Sequence, residues 1–157
     1  MIRIWLLVLL LPLVSGACQS KQSAAVPVYQ KTSDKKLEGI LDDLSFALTE
    51  HNLRIVNKLH IGKAVQLRGN NKFPDYEVIL YCSISFAEDV LGAEPELINA
   101  CPGKITVRSE GNKYIISAPL WPENTANAKV NTLTAQMNQT IRDVVDFSTE
   151  HWLSKTK

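Results

Sequence analysis

Between Asp75 and Trp121 the sequence carries a run that restricts the chain to few folds. Tyr76-Glu77-Val78-Ile79-Leu80-Tyr81 is apolar enough for a buried strand and ends on Cys82. A short helix is expected from Ser85 to Leu91, with Ser85 and Glu88 as its capping box and Gly92 as its stop. Glu94-Pro95-Glu96 starts another short turn, and Cys101-Pro102 follows. Lys104 to Ser109 and Lys113 to Ala118 then flank Glu110-Gly111-Asn112, a three-residue hairpin connection in which the glycine supplies positive φ. A buried strand beside a hairpin calls for an antiparallel sheet. Ile105 and Val107 alternate with Thr106 and Arg108, which gives this strand one wet face.

The flanks add helices to that sheet. Val26 to Lys31 reads as a first strand with Pro27 at its start or on an edge. Ser33 or Asp34 can cap a helix whose apolar residues, Leu37, Ile40, Leu41, Leu44, Ala47 and Leu48, recur at spacings of three and four, and His51-Asn52 ends it. Leu53 to Leu59 is a second strand, Ala64 to Leu67 fits a strand extension or a helical turn, and Arg68 to Asp75 is a loop by composition. The last and longest helix is expected over Ala128 to Leu153, with Val130, Leu133, Met137, Ile141, Val144, Val145 and Trp152 as its apolar stripe. Helices segregated over a mostly antiparallel sheet make the fold class α+β.

The N-terminus reads as an address. Arg3 precedes the apolar run Ile4 to Val14, which is shorter than the roughly 20 residues a membrane-spanning helix needs. Ser15-Gly16-Ala17 supplies small residues for cleavage, so residues 1–17 are expected to be a signal peptide. The segment Leu13-Val14-Ser15-Gly16-Ala17-Cys18 resembles the lipobox of bacterial lipoproteins, although Ser15 stands where an aliphatic residue is usual. That resemblance implies acylation of Cys18 (palmitate-type chains on its sulfur and amine) and anchoring in the cell envelope, facing the periplasm. Gln19, rather than Asp, is similar to lipoproteins of the outer membrane. Ser15 and Ala17 also satisfy ordinary signal cleavage, with release of a secreted protein, at the same bond. Gln19 to Ala25 is then a polar tether, and residues 26–155 form the single folded domain.

Removing Arg3 from the 17 basic residues leaves 16 against 16 acidic. A neutral domain lacks the basic footprint of nucleic-acid binding and has no electrostatic reason to seek anionic lipid. Membrane attachment therefore rests on Cys18. With Cys18 lipidated, Cys82 and Cys101 remain as an even pair in an oxidising compartment.

The middle of the chain is similar to the domain of unknown function 302 family. The residues that carry this are Val78 to Cys82, Phe86 to Leu91, Ala93 to Ile98, Cys101-Pro102, Ile105 to Val107, Gly111 and Pro119. Two positions depart: Ser83-Ile84 stands where the family often has Asn-Pro, and Pro102 follows the second cysteine rather than preceding it. The resemblance implies a fold like that of the TATA-box-binding protein, a curved antiparallel sheet with helices on one side. It implies no activity and no cofactor, and the DNA binding of the fold's namesake does not transfer with architecture.

Three readings of Cys82 and Cys101 stay open. A structural disulfide closing about 20 residues would contribute roughly 3 kcal/mol. A redox-active or ligand-contacting pair would need exposure and a lowered thiol pKa. Two inert core cysteines are the third reading. A metal site of His60, Cys82 and Cys101 has no support from spacing, and no catalytic signature appears. His51 and His151 lie near helix ends, where a cation suits the dipole. Asp42-Asp43, Glu94 and Glu96 read as solvated surface. Trp121-Pro122 and Trp152 either cap the core or line a partner surface, and Asn138-Gln139-Thr140 is a glycosylation sequon without meaning in a bacterial envelope. The function expected is non-enzymatic binding, against the sheet, of a small ligand or an envelope protein, with a homodimer as an open arrangement. A thiol-based redox or sulfur-carrying protein is the alternative.

Overall fold

Glu77, Ile79 and Tyr81 are buried while Val78 and Leu80 between them are only half-buried, so one face of this strand meets the core. The computed structural model of the protein describes residues 26–151. The expected signal peptide, Cys18, the expected tether, Trp152 and Leu153 lie outside the described residues. Five strands, β1 (Val28–Ser33), β2 (Arg54–His60), β3 (Tyr76–Cys82), β4 (Gly103–Glu110) and β5 (Lys113–Pro119), form a curved antiparallel sheet in the order β1-β5-β4-β3-β2. The helices are α1 (Leu37–Glu50), α2 (Ile61–Gln66), α3 (Ile84–Ala93) and α4 (Ala128–Thr149), with a 3-10 helix over Pro95–Ala100. The fold is α+β with its helices on one side of the sheet, as expected.

Register explains the core. Ile79 pairs with Ile105, and Val107 with Ile116, so these inward residues form an apolar floor, with the buried Glu77 carboxylate beside Val107 at one end. Ile40, Leu44 and Leu48 of α1 and Ile141, Val144 and Val145 of α4 close over it, all fully buried. Each such aliphatic side chain contributes about 1.5–3 kcal/mol by leaving water. The first strand and the last helix of the described residues are tied together: Tyr29 of β1 donates its hydroxyl to Asp146 of α4 at 2.7 Å.

Several local expectations are corrected. Neither Ser33 nor Asp34 caps α1: Ser33 belongs to β1, and its Oγ accepts from the Lys35 amide at 3.2 Å. Lys36 holds the N-cap position without a side-chain bond. Lys35 instead reaches Asp43 and donates to the carbonyls of Ser148 and Glu150, at the end of α4, where a cation offsets the helix dipole. Ser83, not Ser85, caps α3 by accepting from the Phe86 amide, so the helix starts one residue earlier and runs through Gly92. Glu110 pairs directly with Lys113, so the hairpin loop has two residues, Gly111 and Asn112. Only Gly111 of the two has positive φ (61°), the pattern of a type II′ turn, which matches the sheet's twist. The ambiguous segment after β2 is helical, and Asn52 at φ 56° completes the stop after α1.

Candidate functional site

One end of the sheet gathers the chemistry. β3 ends there at Cys82, β4 begins at Gly103, β5 ends at Pro119, and β1 begins at Val28 opposite it. Because Tyr81 pairs with Gly103, the tyrosine ring lies across the glycine, and a Cβ there would fall 2.7 Å from both the ring edge and the hydroxyl. Only glycine fits.

The 3-10 helix between α3 and β4 carries Cys101 back to the end of β3. The two sulfurs lie 4.0 Å apart and are not bonded to each other. The Cys101–Pro102 peptide is cis. Burial pushes the Cys101 thiol pKa up, and the neighbouring Cys82 pushes it further the same way. A thiol held protonated is a poorer nucleophile, so Cys101 is not activated by its surroundings.

Two cavities meet at this corner. A small one of about 10 Å³ is lined by Tyr81, Cys82, Ser83, Phe86, Ala87, Cys101, Gly103, Trp121 and Met137. Gly103 and Trp121 separate it from a groove of about 960 Å³. The groove runs between the 3-10 helix and the start of β4 on one side, and the start of β1 and the segment after β5 on the other. Its walls are mainly Val26, Pro27, Val28, Leu97, Ala100, Pro102, Pro119, Leu120 and Pro122, while Lys104, Glu96, Glu123 and Arg142 supply charge at its edges. Arg142 is held by stacking 4.9 Å over the Tyr29 ring.

Polar groups beneath the groove are arranged by α4. Asn138 is 2 % exposed. Its side chain accepts from the Trp121 amide at 2.7 Å and donates to the Trp121 carbonyl at 2.9 Å and to Glu123 at 2.6 Å. This one amide therefore fixes the segment that leaves β5. Trp121 itself is buried edge-on against Phe86 at 4.9 Å, so it belongs to the core and the shared cavity wall. The Tyr81 hydroxyl is the one buried side-chain polar atom without a hydrogen-bond partner among the described residues, and burial raises its pKa well above the usual phenol range.

Residues 29–147 match the family described as domain of unknown function DUF302. The chain belongs to this family. A solved relative, an uncharacterized conserved family protein from Bacillus stearothermophilus, has the same fold with a TM-score of 0.69. It is 14% identical, and the match covers 78% of this chain and 98% of that one. No curated protein matches the sequence. At that identity the family relative speaks for architecture alone.

The sequence-derived residues scatter unevenly over this family fold. Cys82 and Cys101 come together. His60 does not join them: it sits at the far end of the β2–β3 ladder, where its Nδ1 contacts the buried Glu77 carboxylate at 2.6 Å. Among the described residues no cluster of three or more His, Cys, Asp or Glu side chains could hold a metal ion. His51 is the C-cap of α1, and His151 contacts Asp34 at 2.7 Å. Asp42 is exposed, and Asp43 pairs with Lys35. Reading the sequence missed Tyr81, Gly103, Asn138 and Arg142. One signal was present for Asn138: with Thr134 it interrupts the apolar stripe between Val130 and Ile141, and both are buried.

Proposed function

We propose that this protein is a lipid-anchored, non-enzymatic binding protein of the bacterial cell envelope, and that the groove beside the Cys82–Cys101 corner holds a small, predominantly apolar ligand. The observation that carries the reading is the groove itself, about 960 Å³ with mainly aliphatic and proline walls. That is the size and character of small-molecule sites. The sequence reading put the ligand against the sheet, whereas the groove lies at the sheet's end. Lys104 and Arg142 suit a carboxylate or phosphate at the rim.

Anchoring follows from Cys18 and its lipobox-like context, with the outer membrane favoured by Gln19. Full-length protein made in a Gram-negative host should partition into detergent, and Cys18→Ala should release it. Binding is tested on the soluble chain from Gln19 to Lys157 by titration with a fluorescent fatty acid. Saturable binding, weakened at least tenfold by a bulky Ala100→Trp substitution in the groove wall, supports the reading. A probe that never binds, or binds the substituted protein equally, defeats it.

The 4.0 Å approach of the two sulfurs favours the thiol-based redox or sulfur-carrying reading as the alternative. A Cys82–Cys101 couple with a potential well above about −300 mV would put that reading first, and a lower one would make the pair a structural disulfide.

A further inference from the structure

The small cavity is walled by three sulfur-bearing residues from three parts of the chain. Cys82 ends β3, Cys101 ends the 3-10 helix, and Met137 comes from the middle of α4. We propose that Cys82, Cys101 and Met137 form a site for a single soft monovalent metal ion, Cu(I), held by two thiolates and one thioether.

The separation of the thiols fits this occupant. With metal–thiolate bonds of about 2.3 Å, two sulfurs subtending about 120° at one ion lie about 4.0 Å apart. The observed distance is 4.0 Å, and a disulfide would need about 2.05 Å. The cavity, about 10 Å³, has the volume of about one small probe sphere, enough for a monatomic ion and too little for an organic ligand.

The donor set selects the metal. Thiolate and thioether ligands favour Cu(I), whereas structural zinc takes four ligands, and among the described residues no cluster of three or more His, Cys, Asp or Glu stands here to complete them. Tyr81, Phe86 and Trp121 surround the sulfurs, with the Phe86 and Trp121 rings in edge-to-face contact. That apolar shell limits water at the ion, which protects the monovalent state.

Binding conserves electrons. Two S–H bonds break, two copper–thiolate bonds and one copper–thioether bond form, two protons leave to solvent, and copper stays monovalent. The site requires the reduced thiols and is independent of what fills the groove.

The test uses the soluble chain from Gln19 to Lys157, reduced and handled without oxygen, titrated with Cu(I) against a chromogenic Cu(I) chelator. One copper retained per chain, two protons released, and a copper X-ray absorption spectrum with sulfur scatterers alone are the expected results. Met137→Leu keeps the volume of the side chain and the fold, and should weaken retention at least about tenfold, as losses of metal-supporting residues do. Cys82→Ser with Cys101→Ser should abolish it. Retention unchanged in Met137→Leu overturns the three-sulfur site. So does retention no better than in the double serine variant, equal retention of Zn(II), or a Cys82–Cys101 disulfide that cannot be reduced without unfolding the protein.

Discussion

Tyr81 and Asn138 show what a single residue can hide from a reader of sequence. Tyr81 read as one more apolar strand position, and it is 3 % exposed. Its cost lies in the hydroxyl, which has no hydrogen-bond partner among the described residues. An orphaned buried polar group costs about 1–3 kcal/mol, so Tyr81→Phe should raise stability to chemical denaturation by about 1 kcal/mol. The same substitution should flatten the alkaline limb of stability. Burial raises the folded-state pKa of Tyr81, so its contribution is intact below the unfolded phenol's value of about 10 and falls as pH rises beyond it. Cys101, Tyr29 and Tyr114 are shifted in the same direction. Urea midpoints at neutral pH and above about pH 10 check both parts; a destabilised Tyr81→Phe at neutral pH would mean that the hydroxyl is satisfied after all. Asn138 read as part of an irrelevant sequon. Asn138→Ala strands the Trp121 amide and carbonyl together, for an expected loss of about 3 kcal/mol. A near-neutral result by calorimetry would remove the clamp from the account. Cys82 and Cys101 were legible as a pair, but 4.0 Å between them is a product of strand register and the returning 3-10 helix, which residue identity alone does not encode.

At the scale of elements, periodicity located the five strands and the helices α1, α3 and α4, and the errors in these lie at their ends. Ser33, Asp34, Ser83 and Ser85 are chemically equivalent as caps, so propensity could not rank them. The choice was made by β1, which draws Ser33 into pairing with Tyr114, and by β3, which ends at Cys82 and leaves Ser83 as the first residue free to turn. The short α2 was ambiguous because six residues carry too little pattern, and its position depends on a contact rather than on propensity. A Cβ on Gly62 would fall 2.6 Å from the Pro74 carbonyl and 2.7 Å from the Tyr76 amide. Backbone cannot yield as a side chain would, so Gly62→Ala should cost about 1–3 kcal/mol by displacing α2 from the start of β3. Gly92→Ala is the control, since that glycine is helical with nothing near its would-be Cβ, and it should gain about 0.5–1 kcal/mol. Equal midpoints for the two variants would show that α2 docks loosely.

For the whole molecule, fold class followed from the sequence because the segregation of strands and helices is a long-range property of the pattern, whereas the groove did not. Its walls come from four separate places: Val26 to Val28, residues between Glu96 and Lys104, Pro119 to Asn124, and Asn138 with Arg142. No local window contains such a site. The placement of the groove has a consequence when it is joined to the proposed anchor. Val26, Pro27 and Val28 are part of its wall, and Cys18 lies eight residues before Val26. Eight residues reach at most about 28 Å, so acylation of Cys18 would keep the groove within about one domain's width of the bilayer. An apolar ligand would then be taken from the membrane surface at a high effective concentration rather than from dilute solution. Inserting 20 Gly/Ser residues after Ala25 adds roughly 25 Å of flexible reach and dilutes that advantage without touching the groove. The lengthened protein should bind a fluorescent fatty acid in solution with unchanged affinity, yet extract it from the vesicles that carry it several-fold more slowly. Equal extraction rates would separate the groove from the anchor, leaving the lipid to hold the protein in place and the ligand to arrive by diffusion.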